Sequence, residues 1–195
     1  MTIKRAKVLT DKQFSKLMKH LAEGLNPERD HVMFALSFKC GLRAQEIAGL
    51  NWIDVTDAEG NIYKPDTMIE LPHSITKGSV TEGKIIMHKL VYNTLKNLRK
   101  ANLSEFLMPA PRSPSGRMST NNVTVYMHAV FKKLGYVGCS SHSGRRTFGT
   151  KLARIANKQG GSFVDVKDLL RHKDIRTTRA YVDSSDTQKK MIAAI

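Results

Sequence analysis

The segment LLRHKDIRTTRAYVD, residues 169–183, holds a single phenol, Tyr181, in a run that also contains Arg171, His172, Lys173, Arg176 and Arg179. A phenol with a pKa of about 10 is a poor nucleophile at neutral pH, and positive neighbours stabilise its phenolate. The same run also suits a tyrosine that packs its ring beneath a basic surface. Nine residues separate His172 from Tyr181, and Asp174 between them is placed to start a short helix that brings the tyrosine back towards a cleft.

In SSHSGRRTFGTKLARIAN, a Ser140 or Ser141 cap opens a helix on which His142, Arg145, Phe148, Leu152 and Ile155 fall at steps of three, three, four and three. An Arg that continues an apolar stripe points to the protein body or a cleft, where it is costly unless an anion meets it. An exposed cap with Arg146 and Lys151 solvated accounts for the same short pattern. CGLRAQEIAGL repeats the logic: Arg43 aligns with Ile47 and Leu50, and Glu46 is placed to hold the guanidinium while leaving its fork open to a phosphate. An ordinary i,i+3 ion pair fits these residues equally well. Lys77, in SITKGSV, sits at the tip of an expected hairpin where Gly78 permits a tight turn. An ammonium there is either simply solvated or, beside a leaving oxygen, a proton donor.

The elements that must position these groups are legible as follows. LTDKQFSKLMKHL reads as a capping box, Thr10 with Gln13, with Leu9 stapled onto Phe14 and Phe14, Leu17, Met18 and Leu21 on one face. After GLNPERD a second helix runs to about Cys40, apolar at Val32, Met33, Phe34, Leu36 and Phe38, and Gly41 closes it. RAQEIAGL carries a short third helix. MIELP and KIIMH, joined through TKGSVTEGK, predict two antiparallel strands, and a third strand is expected around Trp52 to Val55. Helix returns from about Lys89 to Lys100 and, after the loop MPAPRSPSGRMS, from about Thr120 to Leu134. No internal repeat or domain linker interrupts the chain. The fold class expected is α+β, mostly helical with a small antiparallel three-stranded sheet.

A chain of 195 residues suits one domain with a proper core. Its 32 Lys and Arg against 17 Asp and Glu give +15, spread along the chain, which points to a polyanionic partner. Nucleic acid fits better than a membrane, which is met by one basic amphipathic helix or a juxtamembrane cluster. MTIKRAKVLTD has no apolar signal region, and no stretch approaches the length of a membrane span. Cys40 and Cys139 form neither a CxxC pair nor a disulfide framework, so reduced thiols in a cytosolic setting are expected. A zinc site on Cys139 and His142 lacks a second pair of ligands.

Taken together and in order, Arg43 with Glu46, Lys77, His142-x-x-Arg145, His172 and Tyr181 resemble the tyrosine recombinase, or phage integrase, family. GLRAQEI, HSGRRTFGT and LLRHKDIRTTRAYV are similar to the three signature blocks of that family's catalytic domain, and the similarity runs from Thr10 to about Asp183. The resemblance implies that Tyr181 attacks a DNA phosphodiester, forming a 3'-phosphotyrosyl link and releasing a 5'-hydroxyl. It implies that Arg43 and Arg145 clamp the non-bridging oxygens, Lys77 protonates the leaving oxygen, His142 assists as general base, His172 hydrogen-bonds the phosphate, and Glu46 supports Arg43. Arg146, Lys173, Arg176 and Arg179 would hold the DNA backbone. Neither metal nor other cofactor is implied. The implied partners are double-stranded DNA, further copies of the chain in a homotetramer on that DNA, and accessory DNA-bending proteins. The implied location is the cytoplasm, at the nucleoid of a prokaryotic host or on a phage or mobile element.

The chain divides, on this reading, into an N-terminal extension (1–9), the catalytic domain (10–183) and a tail (184–195) that docks in trans or in cis. Most members carry a separate N-terminal DNA-binding domain. This chain resembles the short recombinases that invert fimbrial promoters, or else a catalytic fragment of something longer. Two positions depart from the blocks: Arg171 stands where glycine is common, and Gly144 where leucine is common. A type IB topoisomerase-like activity and a non-catalytic DNA-binding or regulatory relative on the same fold are the alternatives.

Overall fold

The structure is a computed structural model that describes residues 6–76, 83–101 and 104–179, without the side chains of Ile175 and Arg179. Among these residues it contains eight α-helices and one two-stranded sheet. Helix α1 (Asp11–Ala22) opens with the expected capping box: Thr10 Oγ1 accepts the Gln13 N–H at 3.2 Å, and Gln13 Oε1 accepts the Thr10 N–H at 2.9 Å. It buries Leu17 and Leu21. The chain before it is tied down as well, because Leu9 is buried and its N–H donates to Thr147 Oγ1 at 3.0 Å.

Helix α2 (Pro27–Lys39) is apolar almost all round, and seven successive residues from Val32 to Phe38 are buried. A helix of that composition belongs inside the molecule. It packs against α1, α4 (Lys89–Ala101) and α6 (Ser143–Ile155). Phe34 meets Phe131 of α5 (Thr120–Lys133) edge to face, with ring centroids 5.7 Å apart. The buried carboxylate Asp30 is met by Arg29 at 2.8 Å and accepts a hydrogen bond from the Tyr126 hydroxyl of α5. Helix α3 (Ala44–Gly49) packs on α5, and α7 (Phe163–Leu169) and α8 (Ile175–Arg179) close the described chain.

Strands β1 (Met68–Leu71) and β2 (Gly83–Ile86) pair antiparallel, with Ile69 opposite Ile85; both side chains face the core, whereas Met68 and Ile86 face outwards. The expected third strand at Trp52 to Val55 is absent among the described residues, and a 3₁₀ turn, Trp52–Asp54, takes its place. Trp52 and Val55 are buried and Ile53 between them is 80% exposed, a spacing of three that suits a 3₁₀ turn and contradicts a strand's period of two. The Asp54 carboxylate accepts the Asn51 N–H at 2.7 Å and the Val55 N–H donates to Trp52 O at 3.0 Å, closing the turn.

Helix α6 also departs from its expected form. It begins at Ser143 with His142 as N-cap, and its buried residues are Ser143, Gly144, Arg145, Thr147, Gly149 and Thr150. Phe148 and Leu152 are half-buried and Ile155 is exposed. Small side chains let α6 approach α2 closely: a Cβ on Gly144 would lie 2.1 Å from Ser37 Oγ and 2.8 Å from Ser37 Cβ. The absence of a larger residue at 144 is therefore dictated by Ser37 on the facing helix.

Candidate active site

The α2–α3 connection starts the site. Gly41 has φ 64°, and a Cβ there would lie 2.5 Å from the Phe148 ring, so only glycine fits this turn. Two residues later Arg43 caps α3 in an extended conformation, and the Glu46 carboxylate reaches back to it. Glu46 Oε2 accepts the Arg43 backbone N–H at 2.8 Å and Oε1 accepts from Arg43 Nη1 at 2.7 Å. The carboxylate is buried while the Arg43 side chain is 39% exposed, so the guanidinium is held at its root and open at its outer edge.

Two further guanidiniums converge on the same turn. Arg145, on the buried face of α6, is 3% exposed; its Nη1 donates to Gly41 O at 2.6 Å and its Nη2 donates to Leu170 O. Arg171 is equally buried, and its Nη2 donates to Glu46 Oε2 at 2.8 Å and to Gly41 O at 3.3 Å. Burial by itself would raise the Glu46 carboxyl, but the Arg171 guanidinium, the Arg43 N–H and charge, and Arg145 overcome it and hold the group below the usual carboxylate range. Three guanidiniums thus surround one ionised carboxylate, and the pocket keeps an excess of positive charge.

His172 follows directly. It is 5% exposed, and its Nδ1 lies 2.8 Å from Oγ1 of Thr178, itself fully buried on α8. Burial, then the charges of Arg145, Arg43 and Arg171, push its pKa down to about 4. The imidazole is neutral at physiological pH and serves as a hydrogen-bonding group, not an added charge. Asp174 opens α8 as expected, its Oδ1 accepting the Arg176 N–H at 2.8 Å.

The tertiary structure thus brings Arg43 with Glu46, Arg145 and His172 together from three separated stretches and adds Arg171 and Thr178 to them. His142 stands at the exposed start of α6, one turn before Arg145. Arg146 is half-buried and Lys173 exposed, and Arg176, 88% exposed, pairs with Asp174 at 2.7 Å. Lys77, Tyr181 and the Arg179 side chain lie outside the described residues, as does the tail 184–195. In the sequence Arg171 is one of the basic residues of the 169–183 run and a departure from a common glycine, with no sign of its partner. No periodicity links it to Glu46, 125 positions away. A cavity of about 920 Å³ between α1, α2 and α4, lined by Phe14, Met18, His31 and Leu90, touches none of these residues.

Solved structures share this mostly helical α+β fold. The crystal structure of XerA recombinase superposes with a TM-score of 0.70 at 21% identity, covering 96% of this chain and 64% of that one. XerH site-specific recombinase, bound to its difH substrate in a pre-cleavage complex, gives 0.71 at 14% identity, covering 100% and 56%. A tyrosine recombinase of Pseudothermotoga lettingae is 25% identical over 183 residues, which are 90% of this chain and 56% of that protein. The chain therefore spans less than two thirds of the length of each of these relatives. A model of the phage integrase family matches residues 7–188, and the chain belongs to that family.

Proposed function

We propose that this chain cuts and rejoins double-stranded DNA at specific sites through a covalent tyrosyl intermediate. The observation that carries the reading is the convergence of Arg43 and Arg145 on the Gly41 turn, with a neutral His172 beside them and their one carboxylate saturated by cations. A phosphodiester in transit through a pentacovalent state gains negative charge on its non-bridging oxygens, and planar, permanently charged donors held in place are what such charge requires.

In this mechanism the Tyr181 oxygen forms a bond to phosphorus as the bond to the 5'-oxygen breaks. His142 takes the phenol proton and Lys77 delivers a proton to the departing 5'-oxygen. The phosphotyrosyl ester conserves the bond energy, so that attack by a 5'-hydroxyl reverses the step without ATP. His172 donates a hydrogen bond to a phosphate oxygen, a role suited to an imidazole that stays uncharged, and Thr178 orients its ring. The named relatives are recombinases, one of them captured on its DNA substrate, which supports the same reading. Assembly of four copies on DNA in the cytoplasm, with DNA-bending partners, belongs to this proposal.

The test is a nicked suicide duplex carrying the DNA that flanks the protein's own coding region. The wild-type chain is expected to form a denaturation-resistant protein–DNA adduct, and Tyr181→Phe none. An adduct in the Phe variant would reassign the nucleophile, and no adduct in either would favour a DNA-binding relative without cleavage. Light scattering of the trapped complex checks the four-copy assembly.

A further inference from the structure

Arg171 is an expensive residue where it stands. Its φ is 51°, a left-handed conformation that glycine adopts freely and other residues adopt at a cost. Its charge is buried, with 3% of the residue exposed, and its Nε–H has no hydrogen-bond partner among the described residues. What offsets these three penalties is a short list of contacts: Glu46 at 2.8 Å, Gly41 O at 3.3 Å and Leu169 O at 3.4 Å. The first two are also the anchors of the other guanidiniums. Glu46 carries Arg43 on its second oxygen, and Gly41 O carries Arg145.

We propose that Arg171 is a positioning residue that acts through Glu46 and the Gly41 carbonyl, fixing the angle at which Arg43 and Arg145 meet the scissile phosphate. With Oε2 held by Arg171 as well as by the Arg43 N–H, the Glu46 carboxylate is fixed from a second, distant segment, and Oε1 stays aimed at Arg43 Nη1. Without Arg171, the carboxylate is held by Arg43 alone, through its N–H and Nη1, and can move together with the residue it should fix. The inference rests on the cleavage reading above.

The experiment compares Arg171→Gly, Arg171→Met and Arg171→Lys in single-turnover formation of the covalent complex, alongside DNA affinity. Glycine suits the backbone at φ 51°, so the Gly variant carries the test if the Met variant fails to fold. Both are expected to slow adduct formation by about ten-fold or more while the Kd for DNA changes by less than about three-fold. The Lys variant is expected to recover part of the rate, because it restores a charge for Glu46.

The carboxylate also faces Arg43 at the start of its own helix and Arg145 on α6, and Arg171 is the strongest of its cations. Its removal lets Glu46 take up a proton at higher pH, so the acid limb of the rate profile moves up. A merely structural loss lowers the rate without moving that limb. Combining Arg171→Gly with Glu46→Gln is expected to add less than about two-fold to the slower single variant. A rate within two-fold of wild type, an unmoved acid limb, or effects that multiply with Glu46→Gln would each overturn the proposal. If the wild-type chain forms no adduct, the cleavage reading itself fails and the proposal falls with it.

Discussion

At the scale of single residues the site is governed by one imbalance: three buried or half-buried guanidiniums, one carboxylate, and a histidine that stays neutral among them. That neutrality has a consequence for stability. The folded value for His172 is about 4 against an ordinary 6.5, so on acidification the unfolded chain binds the proton first. The stability contributed by the neutral imidazole is complete above pH 6.5 and is lost as pH falls towards 4, amounting to about 2 kcal/mol between pH 7 and pH 5. Glu46 acts in the same direction at lower pH, since its depressed folded value means stability lost as the carboxylate is protonated. Urea midpoints measured from pH 7.5 to 5 are expected to fall steadily in the wild-type chain and to fall less in His172→Gln. Equal slopes for the two proteins would show that His172 does not titrate as the geometry requires.

At the scale of elements the site depends on how closely α6 lies on α2. Arg145 reaches the Gly41 carbonyl at the end of α2 from one turn of α6, and the same turn carries Gly144 against Ser37. A methyl at 144 meets both Ser37 Oγ and Ser37 Cβ; the second is fixed to the backbone of α2 and cannot swing aside. Alanine gains about 1 kcal/mol over glycine in helix propensity, but overpacking of this kind costs about 1–3 kcal/mol, so the clash wins or cancels the gain. Gly144→Ala is expected to lower stability by about 1 kcal/mol in urea unfolding and to slow adduct formation, because α6 must shift and Arg145 with it. An Ala variant more stable than wild type would mean that the helices separate without strain.

At the scale of the molecule the +15 charge and its spread along the chain set the affinity for a polyanion. Binding through phosphate contacts releases counterions, so the logarithm of the affinity should fall linearly with the logarithm of salt concentration. Lys173 is exposed beside His172 and has no carboxylate partner among the described residues, whereas Arg176 is engaged with Asp174. Lys173→Ala is therefore expected to make the salt slope shallower by about one unit, and Arg176→Ala by less. Fluorescence anisotropy on a short duplex from 50 to 300 mM salt separates the two; a larger change for Arg176 would place that residue on the DNA instead.

The amino-acid sequence alone determined the helices and their caps. Thr10 with Gln13, the apolar run of α2 and the pair of strands around residues 68 to 86 are local features, because hydrogen bonds three or four residues apart and periodic burial are written into neighbouring side chains. It also marked Arg43, Glu46, Arg145 and His172 by type and order. It does not distinguish the 3₁₀ turn at Trp52 to Val55, a buried pair three apart, from a strand, nor does it reveal that small residues lie deeper than large ones on α6. Only the tertiary structure decided that Glu46 is shared. The partner that saturates it, Arg171, comes from a segment 125 residues later and holds a backbone conformation that its own type disfavours. Burial of a charge and the pairing that offsets it are properties of the packed molecule, since they arise when distant segments close around one carboxylate and exclude water from it.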